Sequence, residues 1–369
     1  MTNVYFILIT FFVLFNRDII YAQQITSTTE KAVKIGLLIG NNKSISARNG
    51  AGMAIDKANK KKGLGGLYFQ LVVKSMEGSW GTGSKQAVDL IFKDNVWAIM
   101  GSHDGQNAHL VEQVISKTRT VFLSAWASDP TLSQAFVPWY FSCVPNSNQQ
   151  ATAFIKEIYN KIKIKKIAVV SDMSYDSKKA LKSLVNRSKL EGKPDLLQFF
   201  YDSSNKNFKK LLDEIYESDI NGIVLFGKPL ASLSFIKQLR QRKMEQPVFG
   251  SFSLLGEGDL GEVELSNYNN VTIATSGNWL GLDEVSFLKE YQKKYGKIPN
   301  AVAAYAFDGM NLLIEAIINS GFDREKIQES MSEIQYKGVT GSIQFDKKGN
   351  RVNANELIKI NNGIPVTIE

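Results

Sequence analysis

Cysteine, histidine and proline are scarce in this chain of 369 residues, which holds one, two and eight of them. A single cysteine, Cys143, excludes an intramolecular disulfide and a thiolate metal cluster, and its setting in WYFSCVP reads as a small buried hydrophobe. The two histidines, His103 and His109, are six residues apart with Asp104 beside the first. Spanning a loop–helix junction, they read as a loop contact and a helix-surface residue rather than as metal ligands. Ser102-His103-Asp104 contains the residue types of a hydrolase triad, but contiguous residues cannot hold one another in relay geometry, and no nucleophile elbow is present. With no paired carboxylates or nucleophile constellation, no enzyme, cofactor or metal is expected. Glycine does not make a phosphate loop either. In GSWGTGSK (78–85) the lysine does not follow the last glycine directly, and Gly50-Ala51-Gly52 lies inside a helical pattern rather than between strand and helix.

Long apolar runs are absent apart from one. VYFILITFFVLF (4–15) is too short for the ~20 residues of a bilayer span and fits the ~7–15 of a signal-peptide core. A signal peptide over 1–22, cleaved after Ala22, is expected, an uncleaved anchor being the alternative. No cysteine follows the run, so a lipoprotein anchor is not expected. The net charge of +8 comes mostly from lysines scattered along helical patterns, a solvated face rather than the concentrated stripe that nucleic acid requires.

What the chain does have is a regular alternation of short apolar runs with helical patterns of ~10–15 residues, the mark of βαβ units and parallel sheets. Strands are predicted over 33–39, 68–74, 96–100 and 120–123, with helices over 49–61 and 84–93 and one between the last two strands. The rhythm restarts with helix 151–162, strand 166–171, helix 177–190, strand 197–201, helix 208–217, strand 222–226, helix 231–241 and strand 247–252. Strand 271–276, helices 285–295 and 301–319, and β-prone segments 341–345 and 357–361 complete the chain. Two such runs imply an α/β protein of two doubly wound parallel-sheet lobes. The first lobe is assigned 31–143 plus 277–336 and the second 144–276 plus 337–369. The crossings are expected near 142–148, 275–278 and 336–341.

Residues 98–132 (AIMGSHDGQNAHLVEQVISKTRTVFLSAWASDPTL) place two small-residue loops at strand carboxyl ends, where an open α/β sheet presents its ligand crevice. Helix starts there point free N–H groups and a positive dipole end into the crevice, and Ser102, Gly105, Ala127 and Ser128 are small enough to admit a carboxylate. Trp126 is either a ligand wall or a packing residue. Tyr175 follows the strand end VVSDMSY, and Lys228 follows strand 222–226 at another carboxyl end, where it could pair with an anion.

In order along the chain, VKIGLLIG, GAGMAIDKANKKKGLGG, AIMGSHDGQNA, FLSAWASDPTL, VVSDMSY, AAYAFDGMNLLIEAI and GVTGSIQFDKKGN resemble the type I periplasmic binding proteins, closest to the leucine/isoleucine/valine-binding branch that feeds ABC transporters. The resemblance implies two lobes closing on a ligand about a hinge, joined by three crossings. It implies that the loop of Ser102, His103, Asp104, Gly105 and Gln106 and the loop 125–128 grip a carboxylate and an amine, with the Ala127 carbonyl and Ser128 hydroxyl in main roles. Tyr175 would face the ligand from the second lobe and Phe307 from the first. Two departures stand out. Phe252 occupies the position of the acid that pairs with the ligand ammonium, so that Asp104 or another acid substitutes or the ligand has no ammonium. Arg48 stands where an aromatic or small residue is usual and could clamp a second anionic group. The expectation is a periplasmic, monomeric solute-binding protein that captures a carboxylate-bearing, amino-acid-like small molecule and delivers it to ABC permease subunits. A ligand sensor signalling to a membrane partner is the alternative.

Overall fold

Strands buried on both faces and strands with one open face mark the centre and the edges of two sheets. In the computed structural model, which describes residues 32–60, 68–204, 207–257, 264–281, 285–321 and 323–368, the runs IAVVSD and GIVLF are buried at every position. LQFFY and YFQLVVKS are not, as edge strands require. The signal peptide, its cleavage site and the alternative anchor lie outside the described residues.

The first sheet has the order β2-β1-β3-β4-β5, all parallel, from β1 (Ala32–Ile39), β2 (Tyr68–Ser75), β3 (Ala98–Ser102), β4 (Val121–Ser124) and β5 (Tyr140–Ser142). Helices α1 (Ile45–Lys60), α2 (Thr82–Phe92) and α3 (Gly105–Thr118) connect them. β5, three residues long, was too short to be read from the sequence. The second sheet is built from β6 (Ile167–Asp172), β7 (Leu197–Tyr201), β8 (Gly222–Phe226), β9 (Val248–Gly250) and β10 (Val271–Thr275), and its parallel part repeats the same winding as β7-β6-β8-β9-β10. Helices α4 (Ser147–Ile155), α5 (Tyr175–Leu190), α6 (Lys209–Glu217) and α7 (Pro229–Gln241) belong to this half. α4 starts earlier than its apolar pattern, because Asn146 and Gln149 form a capping box, and it runs on into a π-helical turn at Lys156–Lys161.

Between β10 and the end of the chain, α8 (Val285–Tyr295), α9 (Ala301–Asn319) and α10 (Ile327–Glu333) precede the small hairpin of β11 (Tyr336–Gly338) and β12 (Gly341–Ile343). α9 packs against α1 and β3 and is long and apolar enough to cross a membrane, but 83% of its apolar window is buried in the protein, so it is a core helix. The second sheet also carries an antiparallel edge, formed by two C-terminal strands, the first of which the sequence marked only as β-prone. β13 (Glu356–Asn361) and β14 (Ile364–Thr367) join it antiparallel beside β10. Their two-residue turn, Asn362-Gly363, has φ of 50° and 81°, the left-handed pair that a tight hairpin needs.

Beyond β5, beyond β10 and near 340–351 the chain runs between the two sheets, and one side chain holds all three segments. Arg351, 1% exposed, donates to the carbonyls of Cys143 (2.9 Å), Ser276 (3.4 Å), Thr340 (2.6 Å) and Ser342 (3.1 Å), and to the Thr340 hydroxyl (3.1 Å). Asp308 on α9 completes the knot by accepting from the N–H groups of Val339 and Thr340 and from the Thr340 hydroxyl. Arg351→Met would leave several buried carbonyls unpaired. A loss of about 3 kcal/mol in unfolding free energy is expected, read from the urea midpoint; an unchanged midpoint would show that water replaces the guanidinium.

Candidate functional site

In a doubly wound sheet the crevice opens where neighbouring strands lead their connections to opposite faces. In the first sheet that point lies between β1 and β3, which end level, Ile39 opposite Ser102. In the second it lies between β6 and β8, with Ser171 opposite Phe226. The two points face each other across a cleft of about 460 Å³. Gly40, Asn41 and Ser44 line it from the end of β1, and Ser102, His103, Asp104, Gln106 and Asn107 from the end of β3. From the other side come Ser174, Tyr175, Asp176 and Ser177 after β6, and Gly227, Lys228, Pro229 and Leu230 after β8. Trp126, Ser253, Glu257 and Val302 close the walls.

Of the residues expected to contact ligand, Ser102, His103, Asp104, Gln106, Trp126, Tyr175 and Lys228 are brought together here. The other six are not among the lining residues. Gly105 lies behind the cleft surface with its N–H engaged by Asp176. Ala127 is in the core, its N–H bonded to Ser124 Oγ, and the Ser128 carbonyl accepts from the N–H and hydroxyl of Ser147. It is Trp126 that this loop presents: the indole lines the cleft while packing on Phe252 (centroids 4.4 Å apart) and against Tyr305. Phe252 is fully buried under it, its N–H donating to Gln150 Oε1. Phe307 packs on Phe287 in the core, and Arg48 is exposed on α1.

An acid does stand five residues beyond Phe252. A 3-10 turn over Phe252–Leu255 carries the chain round, and Glu257 reaches the cleft, Oε1 accepting the Ser46 N–H of α1 at 2.9 Å. Counting a fixed offset from the strand end could not anticipate that turn; an acid following the LLG loop was the available signal.

Carboxylates organise every loop end around the cleft. Asp104 caps α3, accepting from Asn107 N–H (2.9 Å) and Nδ2 (2.7 Å). Asp172, fully buried, accepts from Ser174 N–H and hydroxyl through one oxygen and from Lys228 N–H through the other, tying the β6 loop to the β8 loop. Asp176 crosses from the second half to the first, where both its oxygens accept the Gly105 N–H at 3.1 and 3.2 Å. A Cβ on residue 105 would lie 2.6 Å from Asp176 Oδ1, so this approach requires glycine.

A second bridge between the halves runs beside the cleft. Asp129 Oδ2 accepts from Tyr175 Oη (2.9 Å) and His109 Nε2 (3.0 Å) and pairs with Lys179 Nζ (3.6 Å), while Oδ1 takes the Thr131 N–H and hydroxyl. Burial would raise Asp129, but the bonds from His109, Thr131 and Tyr175 outweigh it and hold its carboxyl below the usual range. His109 is therefore no plain surface residue: bonds to Asp129 and Glu112 push its imidazole up to about 9. His103 is buried against Phe122 with Nδ1 facing the Asp104 carbonyl, and burial lowers its pKa. Among the described residues no group of three or more candidate metal ligands occurs.

Burial, with the carboxylates of Asp104, Asp129 and Asp172 nearby, pushes Asp176 up to about 7 against the pull of the Gly105 N–H. A carboxyl raised in the folded state takes up a proton on folding, so its contribution falls as pH rises from about 4 to 7. The raised His109 stabilises fully below about 6.5, and that contribution is lost as pH rises through 9. The melting temperature should therefore decline between pH 5 and 9. Asp176→Asn should flatten the part below 7 and His109→Gln the part above; unchanged profiles in both variants would show that neither group carries the decline.

A family model described as periplasmic binding protein matches residues 33–358. The "Leu/Ile/Val-binding protein homolog 1" of Brucella abortus (strain 2308) is 22% identical over 320 residues, covering 82% of this chain and 81% of that protein. Among solved structures, the branched-chain amino acid transporter substrate-binding protein of Streptococcus pneumoniae, in complex with isoleucine, superposes with a TM-score of 0.79 at 20% identity, over 92% of this chain and all of that one. A solute-binding protein of an ABC transporter from R. palustris, in complex with benzoate, gives 0.77 at 16% identity over 91% and 95%.

Proposed function

This chain belongs to the periplasmic binding protein family, and on that premise we propose that it is an extracytoplasmic solute receptor that encloses one small molecule between its lobes and delivers it to the permease subunits of an ABC importer. The observation that carries this reading is the meeting of two sheet switch points across a single cleft, with Tyr175 and Asp176 of one half bonded to Asp129 and Gly105 of the other. Family members are periplasmic or extracytoplasmic binding proteins, in keeping with export by the segment 1–22. We place the lobe boundaries where the sequence suggested, with the Arg351 knot as the joint between them.

A cleft of this size suits a molecule of amino-acid dimensions. The two neighbours above were solved with isoleucine and with benzoate, so one fold serves unlike ligands. A carboxylate-bearing, amino-acid-like ligand docking at the start of α3 would compete there with Asp176 for the Gly105 N–H and with Asp104 for the Asn107 N–H.

Protein secreted by its own cells and purified under native conditions should release, on denaturation, close to one equivalent of a small molecule detectable by mass spectrometry. Adding that solute to stripped protein should reduce the radius of gyration in solution scattering, and Trp126→Ala should weaken its binding at least tenfold. Deleting the gene should abolish uptake of the solute. Protein that releases nothing and keeps its radius in a metabolite extract would overturn the reading; loss of a cellular response with uptake intact would turn it from importer to sensor.

A further inference from the structure

The backbone donors that face a ligand decide which charge it can bring. In this cleft five of them are already paired with the chain's own carboxylates. Gly105 N–H is held by Asp176, Asn107 N–H by Asp104, Ser174 and Lys228 N–H by Asp172, and Ser46 N–H by Glu257. A ligand carboxylate at any of these five donors would have to displace an anion and then sit beside the rest.

The side chains point the same way. Asp104, Asp176 and Glu257 line the cleft, and Lys228 is the one lysine or arginine to do so among the described residues. Lys228 is exposed at the rim, whereas Asp176 is crowded by Asp104, Asp129 and Asp172. A positive charge placed among them relieves that crowding; a negative one adds to it. Trp126 supplies a separate feature. Its indole forms part of the cleft wall with Phe252 packed against it, and the face of an indole attracts cations.

We propose that the cleft selects a small organic cation, an amine without a carboxylate, held between Asp176 and Glu257 of the second lobe and Asp104 and the Trp126 indole of the first. Asp176 takes the place at the start of α3 that a ligand carboxylate would otherwise fill. The proposal rests on the solute-binding reading of this same cleft and narrows it to one chemical class.

Matched triplets sharing one side chain test it on protein stripped by unfolding and refolding: 3-methylbutan-1-amine, leucine and 4-methylpentanoate, then 2-phenylethylamine, phenylalanine and 3-phenylpropanoate. Calorimetry should rank each set amine, amino acid, acid, with the amine at least tenfold tighter than the acid. Amine binding at pH 7 should release protons, read as a dependence of the binding heat on the buffer's ionisation enthalpy. Asp176→Asn and Glu257→Gln should each weaken the amine at least tenfold. Asp176→Ser, which frees the Gly105 N–H, should instead improve binding of the acid; melting curves of each variant confirm that it is folded. Tighter binding of an amino acid or acid by the wild type would overturn the cation assignment and leave the solute-binding reading standing. If no triplet member binds, the solute released from native protein decides: a cationic amine supports the proposal, a carboxylate overturns it. Absence of any released or bound solute removes both.

Discussion

The guanidinium of Arg351 meets segments of chain that are far apart in sequence. Cys143 follows the last strand of the first sheet, Ser276 follows β10, and Thr340 and Ser342 belong to the return of the chain toward β13. Cys143, Ser276 and Thr340 offer carbonyl oxygens from outside any strand or helix, and Ser342 offers one from β12. A side chain with five donors fixed in a plane is suited to gathering several acceptors at once. Asp308 does the complementary task for the N–H groups of Val339 and Thr340. The passages between the two halves can therefore be irregular and short without leaving buried polar groups unpaired, and the position of one sheet against the other follows from that.

Two sheets wound in the same sense and joined in this way bring their switch points face to face. The convergence explains why the cleft is so rich in loop-borne polar residues: the connections after β1, β3, β6 and β8 open into it, and each is held by a carboxylate bonded to backbone. Fixing four loops with acidic side chains gives the cleft its sign. Asp104, Asp176 and Glu257 hold backbone in place and also line the cleft, so its architecture and its charge are not independent.

Much of this was legible in the sequence. Unbroken apolar runs such as IAVVSD and GIVLF and the strand–helix rhythm identified the doubly wound halves, and the loops after 100 and 171 were recognised as site-forming because both follow strand carboxyl ends. What escaped depends on geometry that spacing does not encode. Glu257 comes into view only once a 3-10 turn is known to carry the chain past Phe252. Asp176 reads as an ordinary first-turn acid of α5 until the opposite half is in place and its carboxylate is found on Gly105. The Gly105 N–H, inferred to be free at the start of α3, is taken by that long-range contact, which the local pattern could not show. Asn362-Gly363 was a visible hairpin signal passed over beside stronger ones.

The Asp129 bridge lies outside the cleft lining, yet it joins the same two halves that a ligand must join. Its contribution to bringing them together is made whether or not anything is bound, and apparent affinity scales with the fraction of molecules already in the binding-competent arrangement. Changes at His109, Lys179 or Thr131 therefore act on this joint and, through Asp129, on the charge beside Asp176. The bridge thereby couples how readily the two halves meet to the charge of the space between them.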